Sequence, residues 1–85
     1  MQADKITAEQ IKAARHAISL SNLEIAEATG IGIATLRRYE ASNGVPKSRK
    51  GHLELLKKFF EARGIEFVGA PDEGPGIRMW GRSSG

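Results

Sequence analysis

The chain has 85 residues, no cysteine and a formal net charge of +3, which limits it to one small domain with little stability in reserve. Without cysteine, neither disulfides nor a thiolate metal site can form, and we expect a cytoplasmic location. No window approaches the roughly 20 apolar residues of a membrane-spanning helix, and the N-terminal residues lack the apolar stretch of a targeting signal. We therefore expect neither membrane insertion nor export.

Basic residues are concentrated in the middle of the chain. Residues 32–63 contain eight basic and three acidic residues, a net charge of +5, whereas the remainder contains five basic and seven acidic residues, a net charge of −2. This asymmetry suits a polyanion that faces the middle of the chain. The same charge asymmetry is equally compatible with helix faces that are simply exposed to water.

A capping box predicts the start of the first helix. Thr7 and Gln10 have the spacing at which each side chain satisfies a free backbone N–H of the other residue. Ile6 and Ile11 flank this box as a hydrophobic staple, and apolar residues recur at helical spacing beyond it. We predict a helix from about Ala8 to Ser19.

The same device recurs at Ser21 and Glu24, where a second helix is predicted to start. Gly30 can take the left-handed conformation that ends a helix, which keeps this helix short. A third helix is predicted to begin near Gly32 and to end near Glu40 or Ala41. Two short helices joined by a glycine-containing turn are typical of a helix-turn-helix motif, here at about residues 21–40.

A fourth helix is predicted from apolar residues at helical spacing, with Ser48 as its N-cap and Gly64 as its C-cap. These residues are Leu53, Leu56, Phe59 and Phe60. The fold class predicted for the chain is therefore all-α, with a compact four-helix domain over residues 1–64.

The last twenty residues change in character. Residues 65–68 and 77–80 alternate enough to form strands, so residues 65–80 are predicted to be a short extended or β-hairpin-like segment, a strand pair between subunits, or flexible. Two strands alone are marginally stable in water, and we expect Trp80 to attach them to the helices or to a second subunit. Residues 81–85 are predicted to be a disordered tail.

The segment from Leu20 to Glu40 resembles the helix-turn-helix of the Cro and phage-repressor-like (XRE) transcriptional regulators, whose domain is lambda-repressor-like. The most specific elements of the resemblance are Ile25-Ala26, Gly30-Ile31, Leu36 and Glu40, at the spacing of the family. The close match covers about a quarter of the chain and, with the first and fourth helices, most of residues 5–63. The family pattern also pairs an arginine of the first helix, here Arg15, with Glu40 in a structural ion pair.

The resemblance implies that the third helix, about residues 33–41, reads the major groove of double-stranded DNA. Carried over position by position, the DNA-binding residues are Asn22, Gly32, Ile33, Ala34, Thr35, Arg37, Arg38, Lys47, Arg49 and Lys50. The chain departs from the family where Gly32 replaces a hydroxyl-bearing cap and Ile33-Ala34 replace polar base readers. Direct readout would then depend on few groups, chiefly Arg38 on guanine.

Three functions follow from these features. The first is a small sequence-specific transcriptional regulator that binds DNA as a homodimer. The alternative is an antiactivator that keeps the fold but sequesters a transcriptional activator protein through Ile33, Ile77, Met79 and Trp80. An excisionase-like factor that bends DNA is a third.

We do not expect an enzyme. His16 and His52 are far apart in sequence, and neither has ligands at metal-binding spacing. Gly74-Pro75-Gly76 lacks the lysine and the helix that follow in a phosphate-binding loop. No cofactor, metal or small-molecule ligand is therefore predicted.

Overall fold

The computed structural model describes residues 5–80 of the chain. Its elements are four helices and two strands: α1 (Ala8–Ala17), α2 (Asn22–Thr29), α3 (Ile33–Glu40), α4 (His52–Glu61), β1 (Ile65–Val68) and β2 (Gly76–Met79). The tail predicted at residues 81–85 lies outside the described residues. Among residues 5–80, no helix has the length and apolar character needed to cross a membrane.

Both predicted capping boxes are present. In α1, the Thr7 side chain accepts from the Gln10 N–H and the Gln10 side chain accepts from the Thr7 N–H. Ser21 and Glu24 make the equivalent pair at the start of α2. Gly30 ends α2 in the left-handed conformation, at φ 81°. Local sequence signals are therefore enough to place these three boundaries, because each depends on backbone groups within four residues.

The end of α1 and both boundaries of α4 differ from the prediction. The first helix ends at Ala17, not Ser19, because Ser19 takes a left-handed φ of 58°. The N-cap of α4 is Gly51 rather than Ser48, since residues 49–52 form a turn in which the His52 N–H donates to the Arg49 carbonyl. At its other end the C-cap is Ala62, not Gly64.

One hydrophobic core joins every helix to the sheet. Its fully buried members include Ile11 and Ala14 of α1, Ile25 of α2, Leu36 of α3 and Phe60 of α4. The sheet contributes Ile65, which is also buried, and the half-buried residues Phe67 and Ile77 of its inner face pack on the same cluster. Burial of this single cluster therefore stabilises helices and sheet together.

The predicted all-α class is wrong, because β1 and β2 form a two-stranded antiparallel sheet that belongs to the fold. Ile65 pairs with Met79 and Phe67 pairs with Ile77, so the apolar side chains of both strands share one face. That face packs on the core, and β2 lies against α1 while β1 lies against α4. Burial on the helices supplies the stability that two strands lack on their own.

Gln10 connects the start of α1 to the sheet. The residue is 2% exposed, and its amide oxygen accepts from the Thr7 N–H in the capping box. Its nitrogen donates to the carbonyl of Val68 at 3.1 Å and to that of Gly76 at 2.8 Å, one on each strand. One buried side chain thus caps a helix and holds two strands to it.

The Trp80 side chain does not attach the strands to the helices, which was one of the two predicted attachments. Its side chain is 53% exposed, and its indole N–H donates to Glu66 on the outer face of the sheet. Its backbone N–H donates to the Gly64 carbonyl at 2.7 Å. Gly64 has a φ of 89°, and a Cβ there would lie 2.6 Å from the Trp80 carbonyl oxygen. The close approach of the two backbones at this point therefore requires glycine.

We predict that Gln10→Glu destabilises the protein by about 2 kcal/mol or more, because a carboxylate keeps the cap but loses two donors to buried carbonyls. The matched control is Glu24→Gln, the reciprocal change at the equivalent position of the exposed capping box of α2, which should cost less than about 0.5 kcal/mol. Urea denaturation followed by circular dichroism measures both. Equal losses in the two variants would show that Gln10 acts only as a cap.

Candidate nucleic-acid interface

The exposed side of α3 carries a stripe of residues at helical spacing. Ala34, Arg37, Arg38 and Ala41 are exposed, at positions i, i+3, i+4 and i+7. No acidic residue lies in the first turn of α3, and Gly32 offers no side-chain cap, so backbone N–H groups at this end have no side-chain acceptor from the cap. The stripe and the helix start therefore share a positive character.

The opposite side of α3 is fixed in the core. Leu36 and Tyr39 are buried, and α3 follows α2 after the three residues Gly30–Gly32. Ile25 and Ile31 are buried in the same cluster, between the two helices. The rotation of α3 is thereby set, and the arginine stripe faces away from the core.

Arg15 and Glu40 form the predicted ion pair. The Nε and Nη2 atoms of Arg15 donate to the two carboxylate oxygens of Glu40 at 2.7 and 3.0 Å, and Nη1 donates to the Leu20 carbonyl at 3.2 Å. The two side chains are only 17% and 10% exposed. The hydrogen bond to Glu40 raises the pKa of Arg15. Partial desolvation of the guanidinium acts in the opposite direction, and the negative charge of Glu40 acts in the same direction as the hydrogen bond. This two-bond pairing ties the end of α3 to α1.

Tyr39 connects α3 to the loop before α4. Its ring is buried, and its hydroxyl lies 2.8 Å from Nδ1 of His52 and accepts from the Arg49 N–H at 3.2 Å. The rings of Tyr39 and His52 also meet edge to face, with centroids 5.9 Å apart. The hydroxyl therefore fixes the backbone of a loop whose side chains are basic.

That loop extends the positive surface of α3. A shallow depression is lined by Arg38, Lys47 and three other residues, which are Ser42, Asn43 and Val45. Val45 also lines a second depression, with Lys5, Arg49 and Lys50 on its walls. We call Arg37, Arg38, Lys47, Arg49, Lys50 and Lys5 the basic surface. Residues 37–50 include five basic residues and one acidic residue, Glu40, which is already paired.

The predicted DNA-binding residues differ in their exposure to solvent. Ile33, expected to be an exposed recognition residue, is half-buried, as are Asn22 and Thr35. Arg38 and Lys47 share one depression and Arg49 and Lys50 the other. Every predicted basic residue is exposed, and so are two predicted small residues, Gly32 and Ala34. The predicted basic residues are therefore accessible to solvent, whereas Ile33 is only partly so.

Two features of this region were missed at the level of sequence. Lys5 lies beside the loop between α3 and α4 because the N-terminal end of α1 meets that loop. The contact is made where the Ala8 N–H donates to the Gly44 carbonyl. The Tyr39 hydroxyl bonds to Arg49 and His52, which lie 10 and 13 positions further along the chain. Apolar periodicity indicates that Tyr39 is buried, but it contains no signal for the partner of the hydroxyl.

Within residues 5–80 there is no cluster of three or more histidine or acidic side chains that would hold a metal ion. Comparison of the chain with protein-family models, curated proteins and solved structures finds no match. The interpretation of the basic surface therefore depends on its own geometry and charge.

We predict that Glu40→Gln costs about 1–3 kcal/mol, because the guanidinium of Arg15 stays largely buried and loses its counter-charge. Glu61→Gln is the control, since its pair with Lys57 is one turn apart on the surface of α4 and should contribute only about 0.3–0.5 kcal/mol. Chemical denaturation at neutral pH compares the two. A loss at position 40 no larger than that at position 61 would rule out an orienting role for the pair.

We predict that Tyr39→Phe keeps the fold but loosens the basic loop. The phenyl ring still fills the core, whereas the Arg49 N–H loses its acceptor, for a cost of about 1 kcal/mol. Amide hydrogen exchange should become faster at Arg49. The control is Ser42→Ala, which removes an exposed hydroxyl bond to the Arg38 carbonyl and should leave Arg49 unchanged. Unaltered exchange at Arg49 in Tyr39→Phe would show that the Tyr39 hydroxyl does not hold the loop in place.

Proposed function

We propose that this protein is a sequence-specific DNA-binding regulator of transcription. The observation that supports this most is the exposed arginine stripe of α3, which continues through Lys47 onto the basic loop. An exposed helix with a fixed rotation fits the major groove, and the flanking cations suit the phosphates on either side.

In this proposal the residues divide into two roles. Arg37 and Arg38 reach base edges from α3, and arginine can bind guanine through two hydrogen bonds. Lys47, Arg49 and Lys50 contact phosphates without regard to sequence. The uncapped start of α3 adds backbone N–H groups that favour a phosphate.

The resemblance to the Cro and phage-repressor-like regulators is part of the same proposal. It is supported by the short α2, the turn at Gly30–Gly32 and the Arg15–Glu40 pair, which lie where that pattern expects them. Under this proposal the protein acts in the cytoplasm, occupies DNA as a homodimer, and regulates by excluding or recruiting other proteins. No polar side chain is available at Gly32, Ile33 or Ala34, so DNA shape should contribute to the specificity.

A second candidate is an antiactivator that binds a transcriptional activator protein. The observations in its favour are the lack of polar readers at the start of α3 and the exposure of Met79 and Trp80, at 48% and 53%. Apolar and aromatic side chains at the centre of a patch are typical of protein interfaces. The two candidates differ in whether the basic surface or this patch carries the activity.

We predict that Arg38→Ala lowers affinity for the preferred duplex by about 1–3 kcal/mol and relaxes specificity, whereas Lys47→Ala weakens binding to all duplexes alike and lowers the salt slope by about one. The preferred duplex would be selected from a randomised double-stranded library and compared with a scrambled duplex in mobility shifts over a range of salt concentrations.

Lys12→Ala provides the control, because it removes one exposed positive charge from α1, outside the basic surface. Its affinity and salt slope should match those of the unaltered protein. If selection enriches no sequence and the unaltered protein binds all duplexes weakly, the DNA-regulator proposal fails and the antiactivator is favoured.

A further inference from the structure

The hydrogen bonds of the Tyr39 hydroxyl determine which nitrogen of His52 carries the proton. Tyr39 is 1% exposed, and its oxygen accepts from the Arg49 N–H at 3.2 Å. The hydrogen of a buried hydroxyl also needs an acceptor. Within residues 5–80, the other hydrogen-bond partner of this oxygen is Nδ1 of His52, at 2.8 Å. Tyr39 therefore donates to Nδ1, which must be the unprotonated nitrogen of the ring.

A neutral imidazole with an unprotonated Nδ1 carries its proton on Nε2. The two nitrogens point in nearly opposite directions from the ring, so the Nε2–H of His52 is directed away from the buried hydroxyl. His52 is partly exposed, and its Nε2 has no hydrogen-bond partner within residues 5–80. Edge-to-face packing on the Tyr39 ring, with centroids 5.9 Å apart, also restrains the imidazole. His52 thus presents one free donor in a fixed orientation.

His52 lies directly beside the basic loop. Its Nδ1 and the Arg49 N–H meet at the same Tyr39 oxygen, and its own backbone N–H donates to the Arg49 carbonyl at 3.0 Å. Arg49 and Lys50 are exposed members of the basic surface. Glu54, the acidic residue in the first turn of α4, is two positions from His52 and therefore about 200° around the helix. The free donor adjoins the cationic loop, with Glu54 on another side of the helix.

We propose that the Nε2–H of His52 donates to a phosphate oxygen of the duplex, as an uncharged phosphate contact beside the basic surface. This inference rests on the proposed DNA-binding function and adds to it a residue of a different chemical type. Lysine and arginine act through charge, which salt screens, whereas a neutral imidazole contributes one directed hydrogen bond. Tyr39 is the positioning residue, because its hydroxyl sets both the tautomer and the orientation of the ring.

Proton–nitrogen NMR of the free protein tests the tautomer without any DNA. In mildly alkaline buffer, the imidazole spectra should show His52 protonated at Nε2. His16 is the internal reference, because its Nε2 lies 3.4 Å from Nη2 of Arg15, a group that can only donate, and this contact favours the opposite tautomer. A proton on Nδ1 of His52 would overturn the proposal, since Nε2 would then have no hydrogen to donate.

Two substitutions at position 52 separate the roles of the two nitrogens. The asparagine oxygen lies near the position of Nδ1, so His52→Asn keeps an acceptor for Tyr39 and loses the distal donor. The glutamine amide nitrogen reaches the position of Nε2, so His52→Gln keeps that donor. On the selected duplex, His52→Asn should weaken binding about tenfold and His52→Gln should weaken it much less. Amide exchange at Arg49 should stay slow in His52→Asn.

The salt dependence distinguishes an uncharged contact from a charged one. In mildly alkaline buffer, His52→Asn should lower the affinity for selected and scrambled duplexes by the same factor and leave the salt slope unchanged. Lys47→Ala removes a charge and should lower that slope by about one. His16→Asn is the matched control, because it makes the same change at an exposed position of α1 outside the basic surface. It should alter neither the affinity nor the slope.

Unchanged affinity in His52→Asn would overturn the proposal, and so would a lower salt slope in that variant. Equal losses of affinity in His52→Asn and His52→Gln, with faster exchange at Arg49, would assign His52 a structural role and also overturn it. All three outcomes leave the DNA proposal intact, because the unaltered protein still binds a selected sequence. If the selection enriches no sequence, the DNA proposal itself fails, and the phosphate contact fails with it.

Discussion

A single buried amide, that of Gln10, determines how the two halves of this chain fit together. Its oxygen completes the cap of α1, and its nitrogen bonds a carbonyl on each strand of the sheet. The amide has few alternatives, because a polar group with 2% exposure must find partners within the protein. Each bond supports the other, since capping fixes the position of the side chain and the strands fix its rotation. The sheet then contributes Ile65 to a core that four short helices share.

The basic surface depends on two polar contacts to α3, one on each side of its final turn. The Arg15–Glu40 pair connects that turn to α1, and the Tyr39 hydroxyl connects it to the loop that carries Arg49 and Lys50. The helix and the loop are consequently held as one surface rather than two. A nucleic acid would meet cations whose relative positions are already set, which reduces the entropy lost on binding. The same contacts explain how α3 keeps its position on the core although its start has no side-chain cap.

The basic surface and the exposed side chains of Met79 and Trp80 share no residue. The basic surface is charged and shallow, whereas Met79 and Trp80 at the end of β2 are large apolar side chains that are about half exposed. Of the alternatives that the sequence left open for residues 65–80, the structure shows the hairpin within one chain.

The sequence by itself determined the features that depend on neighbouring residues. The capping boxes at Thr7 and Ser21 and the left-handed Gly30 lie where predicted, because each is made by backbone groups within four residues. The exposed arginines of α3 and the Arg15–Glu40 pair followed from a family resemblance rather than from spacing. Only the tertiary structure decided the rest. The fold class depended on Gln10 meeting strands about 60 positions away, the start of α4 on a turn held by Tyr39, and the partial burial of Ile33 on the packing of α3. Such contacts have no local signal, because the free energy that selects them comes from groups brought together only when the core forms.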